Sequence, residues 1–492
     1  MTTVPEKIKR FRTKGTEIRK VKNNYYLYRV KCFYDSESGK RRKKTLAYLG
    51  RITEEGVIPP RHRDEAKVNS KPVAPSYSKE YGATWLFRSQ SKDIYEKLQA
   101  HFGVAADWIY VTAILRAIKK CAFKNIEHYY ETSYISEVFK DLPLSSASIS
   151  NNMALLGINR VAMVKFMREF IPSDKFYAIF DGTSIICNSQ NISEAQRGYN
   201  SHGCHDPQIN LMYAVSVQND KITPVFYKNY PGSIRDVSAF KNMLNESGIK
   251  TAAVLADKGF YSAKTADELS KANISYVMPL RRNSTEYETT PLQSPGVTGF
   301  EGRFLYNGRV IWYWSQPVKP GETHRYFLYL DETLQHREMM SRMNSKIGNE
   351  TEEELRKIQK ARLLFGTFAL KTTLMEEDAV STYKLYKLRE SIEQLFDTYK
   401  SDEGFQTTGM HSKETMEATF FINHLSTVLI YRLYEALKTT GMLNKYSASG
   451  IGDILWDVRV SNAGGDWQIE PVPKCAGNAI DATGNSVPEQ VV

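Results

Sequence analysis

Phe176-Tyr177-Ala178-Ile179-Phe180-Asp181 and Thr251-Ala252-Ala253-Val254-Leu255-Ala256-Asp257 are two short, largely apolar runs that each end in an aspartate. Runs of this length read as buried strands of an α/β layer. The first is expected to stop at Phe180, with Asp181 just beyond its end. Between the two, Gln208 to Gln218 predicts a strand, Asn219-Asp220 a turn and Lys221 to Lys228 a hairpin partner, followed by a helix from Asp236 to Ser247. After Asp257 come a predicted helix, Ala263 to Lys271, and a strand, Ser275 to Leu280. The order strand-strand-strand-helix-strand-helix-strand over residues 175–281 defines an α/β layer with a mixed sheet.

The pattern breaks on both sides. Residues 282–360 are strand-rich, with Asn307-Gly308 as a strong hairpin turn, and end in a charged helical piece, Glu352 to Arg362. Residues 361–440 return to a strand, Leu363 to Leu370, a long helix from about Asp378 to Tyr399, and a strong helix at 411–438. From 441 to 492 the chain is rich in Gly, Ser and Asn and reads as a loose tail. Upstream, residues 80–170 are helical in period. A helix opened by Ser145 and running to Leu156 could serve as a DNA recognition helix or be an ordinary capped helix. Residues 1–72 alternate in strand fashion through Tyr25 to Tyr34, turn at Ser36 to Gly39 and continue into Lys40-Arg41-Arg42-Lys43-Lys44, which makes a small basic β unit. Pro59, Pro60, Pro72 and Pro75 read as a linker.

Charge is distributed unevenly. The 492 residues hold 66 Lys/Arg and 55 Asp/Glu, a net charge of +11. Residues 1–72 alone hold 20 against 8, so all of the excess lies there. Such a concentration is an electrostatic handle for a polyanion, with Lys40, Arg41, Arg42, Lys43 and Lys44 as its densest cluster. The N-terminus lacks an apolar segment and is not expected to be a signal peptide. Ala418 to Leu437 is interrupted by Asn423, His424, Ser426, Thr427 and Arg432, which argues for a buried helix and against a membrane span. Five scattered cysteines without C-x-x-C spacing give neither a disulfide framework nor a zinc ribbon. His202, Cys204 and His205 lack a second ligand pair and more plausibly shape a loop. These features predict a soluble protein in a reducing, cytoplasmic setting, without a membrane partner.

Asp181 and Asp257, both at strand ends, would repel each other unless a cation joined them, and oxygen ligands select Mg²⁺ or Mn²⁺. The long helix offers Glu377, Glu390 and Glu393 as a third acid. Leu385, Leu388, Ile392 and Tyr399 form its apolar stripe, and Tyr386, Arg389, Glu393 and Lys400 run along the edge of that stripe, whereas Glu390 lies outside it. The plainer alternative is an amphipathic boundary with Arg389 and Glu393 as an i,i+4 ion pair.

The spacing Y-x2-R-x3-E-x6-K, realised as Tyr386, Arg389, Glu393 and Lys400, resembles the Y-R-E-K signature of DDE transposases of the insertion-sequence-four superfamily. Phe180 to Ser184 resembles that family's first-aspartate strand, Ala256 to Ser262 its second-aspartate motif, and Tyr230-Pro231-Gly232-Ser233 its turn before the intervening helix. The resemblance spans residues 175–435. It implies an RNase H-like core in two parts, 175–281 and 361–440, interrupted by a β-rich insertion at 282–360.

The resemblance further implies Mg²⁺-dependent cleavage and strand transfer at the terminal inverted repeats of an insertion sequence. Asp181, Asp257 and Glu393 would hold two ions (Mn²⁺ substituting), while Tyr386, Arg389 and Lys400 would contact DNA. The partners implied are the transposon ends and target DNA, a synaptic homodimer is implied, and the setting is the nucleoid. Trp312 and Trp314 of the insertion either pack its core or stack on a displaced base. A stand-alone RNase H-like nuclease and a catalytically inactive DNA-binding derivative are the competing readings.

Overall fold

The computed structural model describes residues 4–22, 24–35, 40–60, 77–174, 176–198, 206–218, 221–234, 236–249, 253–256, 263–271, 273–344, 352, 356, 358, 361–390, 410–462 and 465–491. The chain divides into two units, Met1–Pro75 and Ser76–Val492.

The first unit is an antiparallel sheet of β1 (Thr16–Val21), β2 (Asn24–Asp35), β3 (Lys40–Ile52) and β4 (Val57–Ile58), in that order. Alternation gives it two unlike faces. One buries Leu27 and Ile52 against Ile8 of the short helix Glu6–Lys9, with Ile18, Tyr25, Leu49 and Val57 packed around them. The other carries Tyr26, Tyr28 and Tyr48 and no covering element among the described residues of this unit. Beyond Arg29 the ribbon β2–β3 is two strands wide, since β1 pairs only as far as Arg29.

In the second unit β5 (Tyr77–Glu80) leads into six main helices: Gly82–Ser89, Lys92–Phe102, Ala106–Lys119, Ile126–Thr132, Ser146–Ile158 and Arg160–Arg168. These do not stand apart as a helical domain. They share one hydrophobic core with the strands and with the 27-residue helix Lys413–Thr439. The last is started by a reciprocal cap between Ser412 and Thr415. Four of the polar residues that interrupt the apolar run, Asn423, His424, Ser426 and Thr427, are buried: Arg116 Nε donates to Asn423 Oδ1 at 3.0 Å, Ser426 Oγ donates to the Ala113 carbonyl at 2.9 Å, and His424 Nδ1 meets the Tyr213 hydroxyl. At Gly157 the helix Ser146–Ile158 comes so close that an added Cβ would lie 1.8 Å from the Glu414 carbonyl oxygen.

The sheet has nine strands: β6 (Tyr177–Ile186), β7 (Gln208–Gln218), β8 (Lys221–Pro231), β9 (Ala253–Ala256), β10 (Tyr276–Leu280), β11 (Gly302–Tyr306), β12 (Arg309–Ser315), β13 (Arg325–Asp331) and β14 (Thr367–Thr372). Their order is β11-β12-β13-β14-β10-β9-β6-β7-β8. β9 runs parallel to β6 and β10, and every other pairing is antiparallel, so the fold is mixed α/β.

The structure corrects two sequence expectations, the end of β6 and the C-terminal tail, and places the strands of the insertion. β6 does not stop before Asp181 but continues to Ile186, because its pairing with β7 runs unbroken from Tyr177↔Val217 to Ile186↔Gln208. The strands of 282–360 join the core sheet, because β14 bridges β13 to β10.

The segment 441–492 is not a loose tail. It forms helices Ala448–Leu455 and Lys474–Ala482 and strands β15 (Arg459–Asn462) and β16 (Trp467–Ile469). β15 pairs with β5, and Ile451, Leu455, Val460, Ala476, Ala479 and Ile480 are buried. A few well-spaced apolar residues among small ones suffice to anchor short elements on an existing core.

Candidate active site

Strand pairing places Asp181. In the antiparallel ladder it faces Tyr213, and on its other side Phe180 is in register with Ala256, the residue that precedes Asp257 in sequence. The Asp181 side chain is 13% exposed. Its Oδ1 accepts the Gly182 N–H at 2.8 Å, and its Oδ2 accepts Arg389 Nη1 at 3.2 Å. One carboxylate oxygen thus meets a guanidinium that is itself largely buried, 16% exposed.

Arg389 is delivered by the helix Ala379–Lys387. Asp378 caps that helix by accepting the Ser381 N–H at 2.6 Å, and this bond holds the Asp378 carboxyl below its ordinary range. The helix docks through aromatic rings: Tyr383 lies 5.2 Å from Phe304, 5.3 Å from Tyr306 and 4.9 Å from Tyr329, and Tyr386 lies 5.1 Å from Phe368. Strands β11 to β14 thus form the surface that orients it. The expected long helix is corrected in its described part. It is interrupted after Lys387: Leu388 and Arg389 form a turn in which the Arg389 N–H bonds back to the Tyr386 carbonyl at 3.1 Å, tighter than an α-helix makes, and Glu390 is helical again. That turn aims the Arg389 side chain at Asp181 and sets its guanidinium 6.0 Å from the centre of the Tyr386 ring.

The other acids named from sequence are separated by geometry. Glu390 accepts Lys387 Nζ at 2.6 Å and is half exposed. Its charge faces Tyr306, whose phenol is held above the ordinary value first by burial and then by that carboxylate. Glu377 accepts the Tyr177 hydroxyl at 3.1 Å, four residues before Asp181 on β6. Asp257, Glu393, Lys400, His202, Cys204 and His205 lie outside the described residues. Among the described residues no three His, Cys, Asp or Glu side chains gather as a metal site.

Trp314 packs beside a small cluster of Leu280, Tyr287, Tyr326, Leu328 and Ala369. Trp312 instead donates from Nε1 to Glu332 Oε2 at 2.9 Å and lies under the Arg303 guanidinium, 5.3 Å away. Lys40, Arg41, Arg42, Lys43 and Lys44 are all exposed on β3 in the first unit. Cross-strand register splits them: Lys40, Arg42 and Lys44 share a face with Phe33 and Lys31, and Arg41 and Lys43 share the other with Tyr34 and Cys32. The sequence carries no signal for the Arg389–Asp181 contact beyond the signature spacing itself. The docking role of Tyr383 is equally hidden, because nothing in a sequence pairs it with Phe304.

The described part of the site is thus Asp181 on β6, beside the strand β9 with which Phe180 is in register, with Arg389 bonded to its carboxylate. Residues 177–429 match the model of the family described as transposase DDE domain, and the chain, matched over just more than half its length, belongs to that DDE transposase family. No curated protein matches it. Among solved structures it is similar to a cryo-EM structure of a piggyBac transposase synaptic complex with hairpin DNA, at 11% identity and a TM-score of 0.38, over 76% of this chain and 79% of that one. Among the described residues no helix is long and apolar enough to cross a membrane.

Proposed function

We propose that the protein is an insertion-sequence transposase of the Y-R-E-K group, with an RNase H-like core, that binds the terminal inverted repeats of its element and cleaves and transfers their strands in cut-and-paste fashion. One observation carries the reading: Arg389 of the signature donates to Asp181 of the first-aspartate motif across 208 positions of sequence. An incidental ion pair would have no reason to join these two motifs.

Asp181, Asp257 and Glu393 form the acidic triad in this proposal. The donor set is all oxygen, and Asp181 is sheltered without being sealed, so the residues fit Mg²⁺ or Mn²⁺. When bound there, two such ions supply Lewis acidity at the scissile phosphate and lower the pKa of the attacking water. Arg389 pairs with the Asp181 carboxylate and orients it; Tyr386 fixes Arg389; Lys400 holds a phosphate flanking the cut. Trp312, with one edge bonded to Glu332 and one face under Arg303, is the better candidate of the two tryptophans for meeting DNA, since Trp314 packs beside a core cluster.

Residues 1–72 serve as the basic DNA-binding unit, through Lys40 to Lys44, and the helices of 80–170 support the catalytic core. Two copies act together on paired ends, in the cytoplasm at the nucleoid. The test is binding. Full-length protein should prefer DNA that flanks its own reading frame, where inverted repeats are expected, over scrambled DNA of equal length. Equal affinity for both contradicts the reading.

A further inference from the structure

We propose that the face of the first unit's sheet opposite its core is a platform for unpaired nucleotides, on which tyrosine rings act together with two residues of the basic run, Arg41 and Lys43. Register puts one set of side chains on this face: Arg19 opposite Tyr26, Tyr26 opposite Arg51, Tyr28 opposite Tyr48, Cys32 opposite Lys43, and Tyr34 opposite Arg41. The contacts agree. The Tyr48 ring lies 6.0 Å from that of Tyr26 and 5.4 Å from that of Tyr28, and the Arg19 guanidinium lies 4.8 Å over Tyr28 while donating to Thr45 Oγ1 at 2.8 Å. The opposite face holds the core residues Leu27 and Ile52. Tyrosines here are therefore not needed to fill a core, yet four occupy it, with Tyr34 at 67% and Tyr48 at 39% exposure.

Two properties select the occupant. The face is cationic: among the described residues it has exposed Arg19, Arg51, Arg41 and Lys43 against one acid, Glu17, which itself pairs with Arg19 at 3.4 Å. A polyanion suits such a surface better than a protein does. Alternate residues of a strand stand about 7 Å apart, so Tyr26 and Tyr28 are spaced at about twice the 3.4 Å rise between bases of a duplex strand. Rings at that spacing match bases that have been drawn apart. In an intact duplex each base face is covered by its neighbours, and the rings would have nothing to stack on. The rings take bases while the flanking cations take phosphates. Binding of this kind is independent of the catalytic reading, because it involves no cut strand.

The experiment uses full-length protein with chelator present, so that no strand is cut. Affinities for a fluorescent oligo-dT of about 12 nucleotides and for a mixed-sequence duplex of equal length are measured by anisotropy. Removing a ring costs roughly 5- to 150-fold per base left unstacked. Tyr28→Leu combined with Tyr48→Leu should weaken single-strand binding at least about 25-fold and leave duplex binding within about threefold. Tyr28→Phe with Tyr48→Phe should retain both. Unchanged single-strand affinity in the leucine variant, an equal loss on duplex, or a loss in the phenylalanine variant each overturns the proposal. If the leucine variant fails to fold, photocrosslinking of wild-type protein to an oligonucleotide carrying 5-iododeoxyuridine decides. Crosslinks at Tyr26, Tyr28, Tyr34 or Tyr48 support the platform, and crosslinks confined to other residues overturn it.

Discussion

Arg389 commits its guanidinium to Asp181 with both side chains largely out of solvent, so its removal takes a charged partner from that carboxylate. Removing the partner of a sheltered charge costs about 1–3 kcal/mol or more, which at the transition state is roughly 5- to 150-fold in rate. Arg389→Ala should therefore slow cleavage of bound DNA by that factor, and Arg389→Lys should recover only part, since an ammonium cannot reproduce the planar fork. Single-turnover rates on pre-bound DNA check this; an unchanged rate removes Arg389 from the site. Glu390 makes the contrast. It pairs with Lys387 across the turn at Leu388 and Arg389, an interaction worth about 0.3–0.5 kcal/mol, and Glu390→Ala should change the rate less than about threefold. A tenfold loss would mean that the acid beside Arg389, and not Glu393, serves the reaction.

Elements show why some of this is legible in sequence and some is not. The spacing of Tyr386 and Arg389 announces a shared helix edge, and the structure keeps them adjacent, but it interrupts the helix at Leu388 and Arg389, where Arg389 meets Asp181 across 208 positions, a contact that periodicity cannot see. β6 reads too short because Asp181, Gly182, Thr183 and Ser184 break the apolar run, yet the β7 ladder carries the strand through them. The C-terminal segment reads as loose because no single element in it is strongly periodic; its order comes from β15 pairing with β5.

The same dependence on packing makes Tyr383 a stability determinant: Tyr383→Ala removes a buried ring from Phe304, Tyr306 and Tyr329 and should cost about 3–5 kcal/mol, read as a lowered unfolding midpoint. Helix Lys413–Thr439 adds a pH signature. Burial first, and Arg160 second, hold the His424 imidazole down at about 3. The unfolded chain takes the proton near pH 6.5, so the stability contribution is full above that pH and declines as pH falls from about 6.5 toward 3. From pH 7 to 5 wild type should lose about 2 kcal/mol more than His424→Gln. Parallel pH profiles of the two melting curves would contradict a buried neutral imidazole.

At the scale of the whole molecule, charge and chemistry are segregated. The excess of 12 positive charges lies in residues 1–72, whereas the family match covers 177–429. The division at Pro75 predicts that a chain beginning at residue 76 folds by itself. It should bind DNA weakly, with a slope of log K against log salt shallower by about 0.9 for each phosphate that residues 1–72 neutralise; an unaltered slope would place the DNA-facing charge elsewhere. The central claim, however, is that three carboxylates drawn from separate segments make one metal-dependent site for cutting DNA. Its most direct test is the cleavage of DNA flanking the reading frame in Mg²⁺ by wild type, Asp181→Asn, Asp257→Asn and Glu393→Gln, with binding measured on the same samples. The account predicts that each substitution abolishes cleavage and leaves binding within a few-fold of wild type. Full cleavage by any one of the three variants would contradict it.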